Sequence, residues 1–358
     1  MSQRQSPLQG SAAPSSSEKD TSQRAKGSPC PNGQQSSPIL YLHIGLPKAA
    51  SSYLHRHVFP KLMPEQYLMP GAQNAKRPAY RFKLNRYRVR RFSDAFQKHP
   101  DFWQRYGDAF FRQFLSPFLV DDRPNTSVLI SEEAITRLNH FGIRSMPGAF
   151  EPRQLQQNIA AFDRYARRFG FERIRILLMI RRQDLLLASS YVQLSRKIVG
   201  ASQKDFERRV DRLLAASTDK PEDAFYPMDY AKLHDCLTQV LPAEDVYFMP
   251  IEHMADDFDA FAHTLRRFLN AKSVDTPLDR SPANTRSMDR NQWALRPLMG
   301  FKSPGGRLDI SIPPALTGRD AAIELRPETA ERIRQHYARG NRKVADAMTL
   351  DLHTYGYY

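Results

Sequence analysis

Two short segments of this chain place cations, hydroxyls and small residues where an anion could be held. The first is Gly45-Leu46-Pro47-Lys48-Ala49-Ala50-Ser51-Ser52. It follows an apolar run and precedes a helical pattern, a position where free backbone N–H groups and the helix dipole favour negative charge. Small side chains at 49 to 52 let oxygens approach the backbone. Ser51 and Ser52 add hydroxyl donors, and Lys48 adds a full positive charge. The nucleotide-kinase loop G-x-x-x-x-G-K-[ST] is absent, because Lys48 precedes Ser51 by three positions rather than one. Phosphate or sulfate oxygens are the ligands such a loop suits; the alternative is a plain strand-to-helix turn with Lys48 as a solvated charge.

The second segment runs from Ile174 to Tyr191. Arg181 and Arg182 stand at the carboxyl end of an apolar strand, where open α/β sheets bind ligands in a crevice. Ser189 follows Arg181 by eight residues, about two helical turns on, and Tyr191 lies two further. An arginine pair tethered to a local carboxylate such as Asp184 is the alternative. Glu132 and Glu133 close another apolar run, Val128-Leu129-Ile130-Ser131, and a carboxylate there could act as a general base if a hydroxyl came within hydrogen-bond reach. Its alternative is pairing with an arginine such as Arg137. His43 lies inside an apolar strand and reads as a buried structural histidine. His55 and His57 have no acids at ligand spacing, and Cys30 and Cys236 are far apart, so no metal is expected.

Alternating strands and helices must carry these segments. Ile39 to Ile44, Ser127 to Ser131, Ile174 to Ile180 and Val246 to Met249 read as buried strands. Leu54 and Val58 mark a short helix that Pro60 is expected to stop. Leu155, Ile159, Phe162, Ala166 and Phe169 mark one face of a helix opened by Pro152 and closed by Gly170. Leu187, Tyr191, Leu194 and Ile198, then Tyr230 to Leu241 and Phe258 to Phe268, repeat the spacing. This rhythm predicts an α/β fold around a parallel sheet. Residues 1 to 37 hold 10 Ser, 6 Gln, 4 Pro and 3 Gly and read as a disordered tail; residues 38 to 358 read as one domain.

The 358 residues include 53 Lys or Arg against 38 Asp or Glu, a formal charge of +15. Nucleic acid, an anionic membrane surface or an anionic small molecule or polymer could each be the partner. Two stretches, 76 to 112 and 164 to 212, each carry +8 (11 − 3 and 13 − 5). In the first, cations from Lys76 to Arg91 interleave with Tyr80, Phe82, Tyr87 and Phe92, a pattern suited to stacking on sugars or bases or to an ordinary amphipathic segment. The longest apolar run, Ile176 to Ile180, is far short of the ~20 residues of a membrane span. With no apolar leader at the N-terminus, a cytoplasmic location is expected.

Taken together, the two anion segments resemble the paired signatures of the sulfotransferases that use 3′-phosphoadenosine 5′-phosphosulfate (PAPS), particularly bacterial, carbohydrate-sulfating members. Lys48 to Ser52 is similar to their P-K-T-G-T-T loop, and Arg181, Ser189 and Tyr191 to their 3′-phosphate motif. Ser131-Glu132-Glu133, the stretch Asp245 to Glu252 and the C-terminal stretch Asp351 to Tyr358 agree as well. The resemblance implies a P-loop-like three-layer αβα fold. It also implies PAPS held by Lys48, Ala49, Ala50, Ser51, Ser52, Arg181 and Ser189, with Lys48 stabilising the leaving oxygen. Glu133 is the implied general base, with Glu132 in reserve, and a hydroxyl on a glycan is the implied acceptor; the cations and rings of 76 to 92 make an acidic glycan the economical choice. Ala50 replaces the family's glycine, which predicts a negative φ there. A kinase-like nucleotide enzyme and a basic nucleic-acid-binding protein are the competing readings.

Overall fold

The computed structural model describes residues 37–64, 66–68, 82–84, 87–89, 96, 101–115, 118–120, 123–136, 141, 152–219, 228–271, 277–278, 280, 291–302, 309–312, 316 and 319–358. The expected tail lies outside these residues except for Ser37. So does most of the stretch 76 to 92, in which Phe82–Leu84 and Tyr87–Val89 pair antiparallel.

Five parallel strands form the central sheet. They are β1 (Ile39–His43), β2 (Tyr67–Leu68), β3 (Val128–Ser131), β4 (Arg173–Ile180) and β5 (Val246–Pro250), in the spatial order β2-β3-β1-β4-β5. Sequence reading placed all but β2, whose two residues carry too little pattern. Buried runs at Leu40–Leu42, Val128–Ile130 and Ile176–Ile180 show why both faces must be covered.

On one face, Tyr41 and His43 meet α1 (51–62) and α8 (Phe258–Leu269), through ring contacts of Tyr41 with Phe268 and of His43 with Phe59. Tyr247 of β5 joins that face through Phe268, and Phe248 turns to the other, onto His234 of α6 (Tyr230–Thr238). There α6 packs beside α3 (Pro152–Phe169). α3 also closes an aromatic cluster with α2 (Asp101–Leu115), where Phe162 touches Trp103 and Phe111. The result is a three-layer αβα arrangement. α4 (Gln183–Leu194), α5 (Gln203–Asp219), α7 (Ile251–Asp256) and the long α9 (Pro327–Met348) complete the described helices. Among the described residues no helix is long and apolar enough to cross a membrane.

Pro60 does not stop α1, contrary to expectation. The helix is π-wound over Leu54–Val58, with the Phe59 N–H donating to Leu54 O, and then continues over Phe59–Leu62. The proline stands in the first turn of that last piece, where a missing N–H is tolerated.

The chain leaves β1 toward α1 on one face and leaves β3 toward α3 on the other. Adjacent strands whose connections part in this way open a crevice at their carboxyl ends. The loop at Lys48, the arginine pair and the Glu132-Glu133 pair are attached to that edge, whereas Ser189 and Tyr191 lie within α4 and most of the stretch 76 to 92 is outside the described residues.

Candidate functional site

The loop after β1 is held at its start and twisted at its tip. Ile44 N–H donates to Leu177 O at 3.1 Å. The buried Thr136 hydroxyl, from the turn after β3, lies 2.8 Å from Ile44 O and 3.0 Å from Gly45 O, so it stitches that turn to the loop. Beyond it, Lys48 has φ 74° and Ala50 φ 59°, both left-handed. The negative φ expected at 50 is therefore wrong. The loop must reverse from strand to helix within a few residues, and it takes the left-handed turn although Cβ contacts make this cost roughly 1–2 kcal/mol per residue. Hydrogen bonds hold it there, since the N–H groups of Tyr53 and Leu54 both donate to Ala50 O at 2.9 and 3.1 Å.

Donors gather at the same place. Among the described residues no backbone carbonyl accepts from the amides of Ala50, Ser51 or Ser52. The Ser51 hydroxyl is buried and without a protein partner, whereas Ser52 is exposed. Ala49, fully buried, donates its N–H back to Leu46 O and serves as packing.

Arg181 reaches this loop from the end of β4. Its guanidinium donates to Lys48 O at 3.1 Å, and its Nε is buried with no acceptor. Burial pushes the group below the usual arginine range, and the nearby Glu252 carboxylate is the largest influence opposing that shift. Arg182 behaves differently. Its fork grips Asp184 with bonds of 2.8 and 2.9 Å, so the tethered alternative holds for Arg182 and not for Arg181.

The remaining sequence-selected residues divide. Glu133 opens a single turn, Glu133–Thr136, directly after β3 and is half-buried beside the loop that Thr136 anchors. Glu132 is buried, and its N–H donates to His43 O. Ser189 is buried in α4. Tyr191 turns inward: its hydroxyl donates to Asp205 at 2.9 Å and accepts from Ser202 N–H at 3.0 Å, which makes it a core strut.

A cluster missed in the sequence lies under the loop. The Ser131 hydroxyl bridges His43 Nδ1 at 2.6 Å and His55 Nε2 at 2.7 Å. Ser131 has one proton to give, so it donates to one ring and accepts from the other. The π-wound stretch carries His55 to this position. His43 Nε2 is buried without a partner, and its ring presses on Gly45 so closely that a Cβ there would sit 2.4 Å from Nε2. Glycine is required at 45 for that reason. Burial lowers His43 well below the usual imidazole range, with His55 adding to the shift, and burial lowers His55 to about 4. Among the described residues no cluster of His, Cys, Asp or Glu is arranged to hold a metal.

No family model matches the chain, and no curated protein does. Among solved structures the chain is similar to a sulfotransferase from Alicyclobacillus acidocaldarius. The two share 14% identity over 88% of this chain and 97% of that one, with a TM-score of 0.44. A likeness this remote leaves function to be read from the crevice itself.

Two outcomes follow from the loop and the cluster beneath it. Ala50→Gly relieves a left-handed alanine and should stabilise the protein by about 0.5–1 kcal/mol, the Cβ strain less the added chain entropy. The urea midpoint should rise with an unchanged slope, and a fall would show that the φ at 50 is not strained. Acidification tests the histidines. Unfolded histidine titrates near ~6.5, and the native ones titrate lower, so below that pH the unfolded chain binds protons the native state refuses. Stability should drop from about pH 6.5 toward pH 4, by ~1.4 kcal/mol per pH unit for each histidine. His55→Gln should flatten that slope; an unaltered slope would mean that His55 is not held neutral.

Proposed function

We propose that the protein is a sulfotransferase that moves the sulfuryl group of PAPS onto a hydroxyl of an acceptor, a glycan being the acceptor the sequence favours. One observation carries the reading. Arg181 and Lys48, 133 residues apart, meet at 3.1 Å across the carboxyl edge of the sheet, beside a buried Ser51 hydroxyl and the Arg181 Nε that no protein group satisfies. Buried donors of this kind are costly unless a ligand completes them. Anionic oxygens of PAPS would do so, those of the 5′-phosphosulfate at Ser51 and those of the 3′-phosphate at Arg181.

PAPS, when bound, supplies the activated sulfuryl group, and the protein's part is position and charge. The amides of Ala50, Ser51 and Ser52 and the Ser51 hydroxyl would cradle the 5′-phosphosulfate, with Ala49 shaping the loop from behind. Lys48 would balance charge on the oxygen that leaves. Arg181 and Ser189 would hold the 3′-phosphate. Glu133, on the turn that Thr136 ties to the loop, would take the proton of the incoming hydroxyl, since a carboxylate needs to stand within hydrogen-bond reach to do so. The left-handed Lys48 and Ala50 fit a loop whose strain serves a ligand.

Adenosine 3′,5′-bisphosphate, the product nucleotide, tests the reading without knowledge of the acceptor. At a concentration of about 100 times its Kd it should stabilise the protein by ~2.7 kcal/mol, and Arg181→Ala should weaken that stabilisation. Lys48→Ala should keep the fold while lowering sulfate transfer on the order of 10²-fold or more. Absence of any shift at saturating nucleotide would end the sulfotransferase reading.

A further inference from the structure

The end of the chain is built into the support of Arg181. α9 finishes at Thr349 in a left-handed cap, and a turn closed by Gly356 N–H on His353 O brings Tyr357 back to the sheet edge. Gly356 has φ 72°, a left-handed conformation that favours glycine, and a Cβ there would stand 3.2 Å from the Arg182 guanidinium, a tight approach. Tyr357, fully buried, donates its hydroxyl to Glu252 Oε2 at 2.8 Å. The other oxygen of Glu252 accepts the Arg182 N–H at 3.1 Å.

Two further residues hold the same corner from the other side. The Tyr230 hydroxyl donates to Arg181 O and lies 3.3 Å from Arg181 N. Asn341 of α9 exchanges amide bonds of 2.8 and 3.1 Å with Gln183 and donates to Tyr357 O at 3.0 Å. Residues 181 to 183 are thus fixed by Tyr230, Glu252, Asn341 and the chain end, and Arg181 is the one residue of that corner aimed at the Lys48 loop.

We infer that Tyr357 is a positioning residue for anion binding, acting through Glu252 on the backbone of the Arg181 corner without touching the ligand. This rests on the sulfotransferase reading above. A loose corner lets the guanidinium of Arg181 move off the loop, and a misplaced charge binds its phosphate less well. Glu252 serves here as a hydrogen-bond acceptor. Its negative charge is a cost to anion binding, so a neutral group that keeps the bonds should serve equally well.

The test measures the affinity of the full-length protein for adenosine 3′,5′-bisphosphate by calorimetry. Tyr357→Phe should weaken binding roughly 5- to 10-fold, the usual scale for the net loss of one ordinary hydrogen bond. Glu252→Ala should do the same. Glu252→Gln can accept from Arg182 and donate to Tyr357, and should bind at least as tightly as wild type. In an Arg181→Ala background Tyr357→Phe should cost nothing more, because coupled residues are not additive. Unchanged affinity in Tyr357→Phe, or an equal loss in both backgrounds, overturns the positioning role. Failure of the wild type to take the nucleotide would instead defeat the functional reading. The same variants are then compared with inorganic pyrophosphate, where equal binding by wild type and Tyr357→Phe, or binding by neither, overturns the inference.

Discussion

A guanidinium partly withdrawn from water at the end of a central strand constrains most of what surrounds it. Arg181 cannot shed its proton to escape burial, so its charge has to be met by dipoles and carboxylates held in place. Lys48 O meets it on one side, and Glu252 acts on it from the other. Glu252 is itself lifted above the ordinary carboxylate range by burial and drawn back by the Arg182 amide, the Tyr357 hydroxyl and Arg181. Each group that answers the charge requires another to answer it, and the sequence of needs runs from β4 to the last two residues of the chain.

The loop after β1 depends on a different kind of support. Its left-handed residues would relax if nothing held them, and three separate contacts prevent this. Thr136 fixes the loop's first carbonyls, the first amides of α1 fix Ala50, and the ring of His43 lies under Gly45. That ring is oriented by Ser131 and, through it, by His55. A serine between two imidazoles in an apolar layer is satisfied only while its single proton goes to one ring and the other ring donates its N–H to the serine oxygen. The cluster therefore fixes the rotamers of three side chains and, with them, the seat of the loop.

How much of this was legible in sequence depended on whether the cause was local. The strand ends, the helix of Pro152–Phe169 and the loop at Lys48 all have local signatures, namely period, punctuation and small residues after an apolar run. Arg181 and Arg182 look equivalent as neighbours in sequence. They part only because Asp184, two residues on, matches the fork of Arg182, while Arg181 finds its acceptor 133 residues away. The left-handed Ala50 escaped notice because residue type argues against it, and only the closure of the loop requires it. Tyr191 fits a ligand motif by spacing yet faces Asp205. His43 was correctly placed in a buried strand. Its partner His55 was invisible as such, because the two rings meet only through Ser131, which lies 76 residues from His55 in sequence.

Net charge proves to be a poor guide to the crevice. The +8 between residues 164 and 212 suggested cations gathered at an anion site. In the structure most of those arginines are engaged elsewhere. Arg173 and Arg175 both lie 3.4 Å from Asp245 toward the opposite end of β4, roughly 20–26 Å of strand from Arg181. Arg167 pairs with Asp163, and Arg208 and Arg209 with Asp205. What sets Arg181 apart is a carboxylate neighbour already committed to hydrogen bonds from Arg182 and Tyr357, so that part of its demand is left over. The useful quantity at an anion site is the charge left unmatched by local carboxylates, and for the stretch 164 to 212 that quantity centres on Arg181 alone among the arginines of β4 and its end.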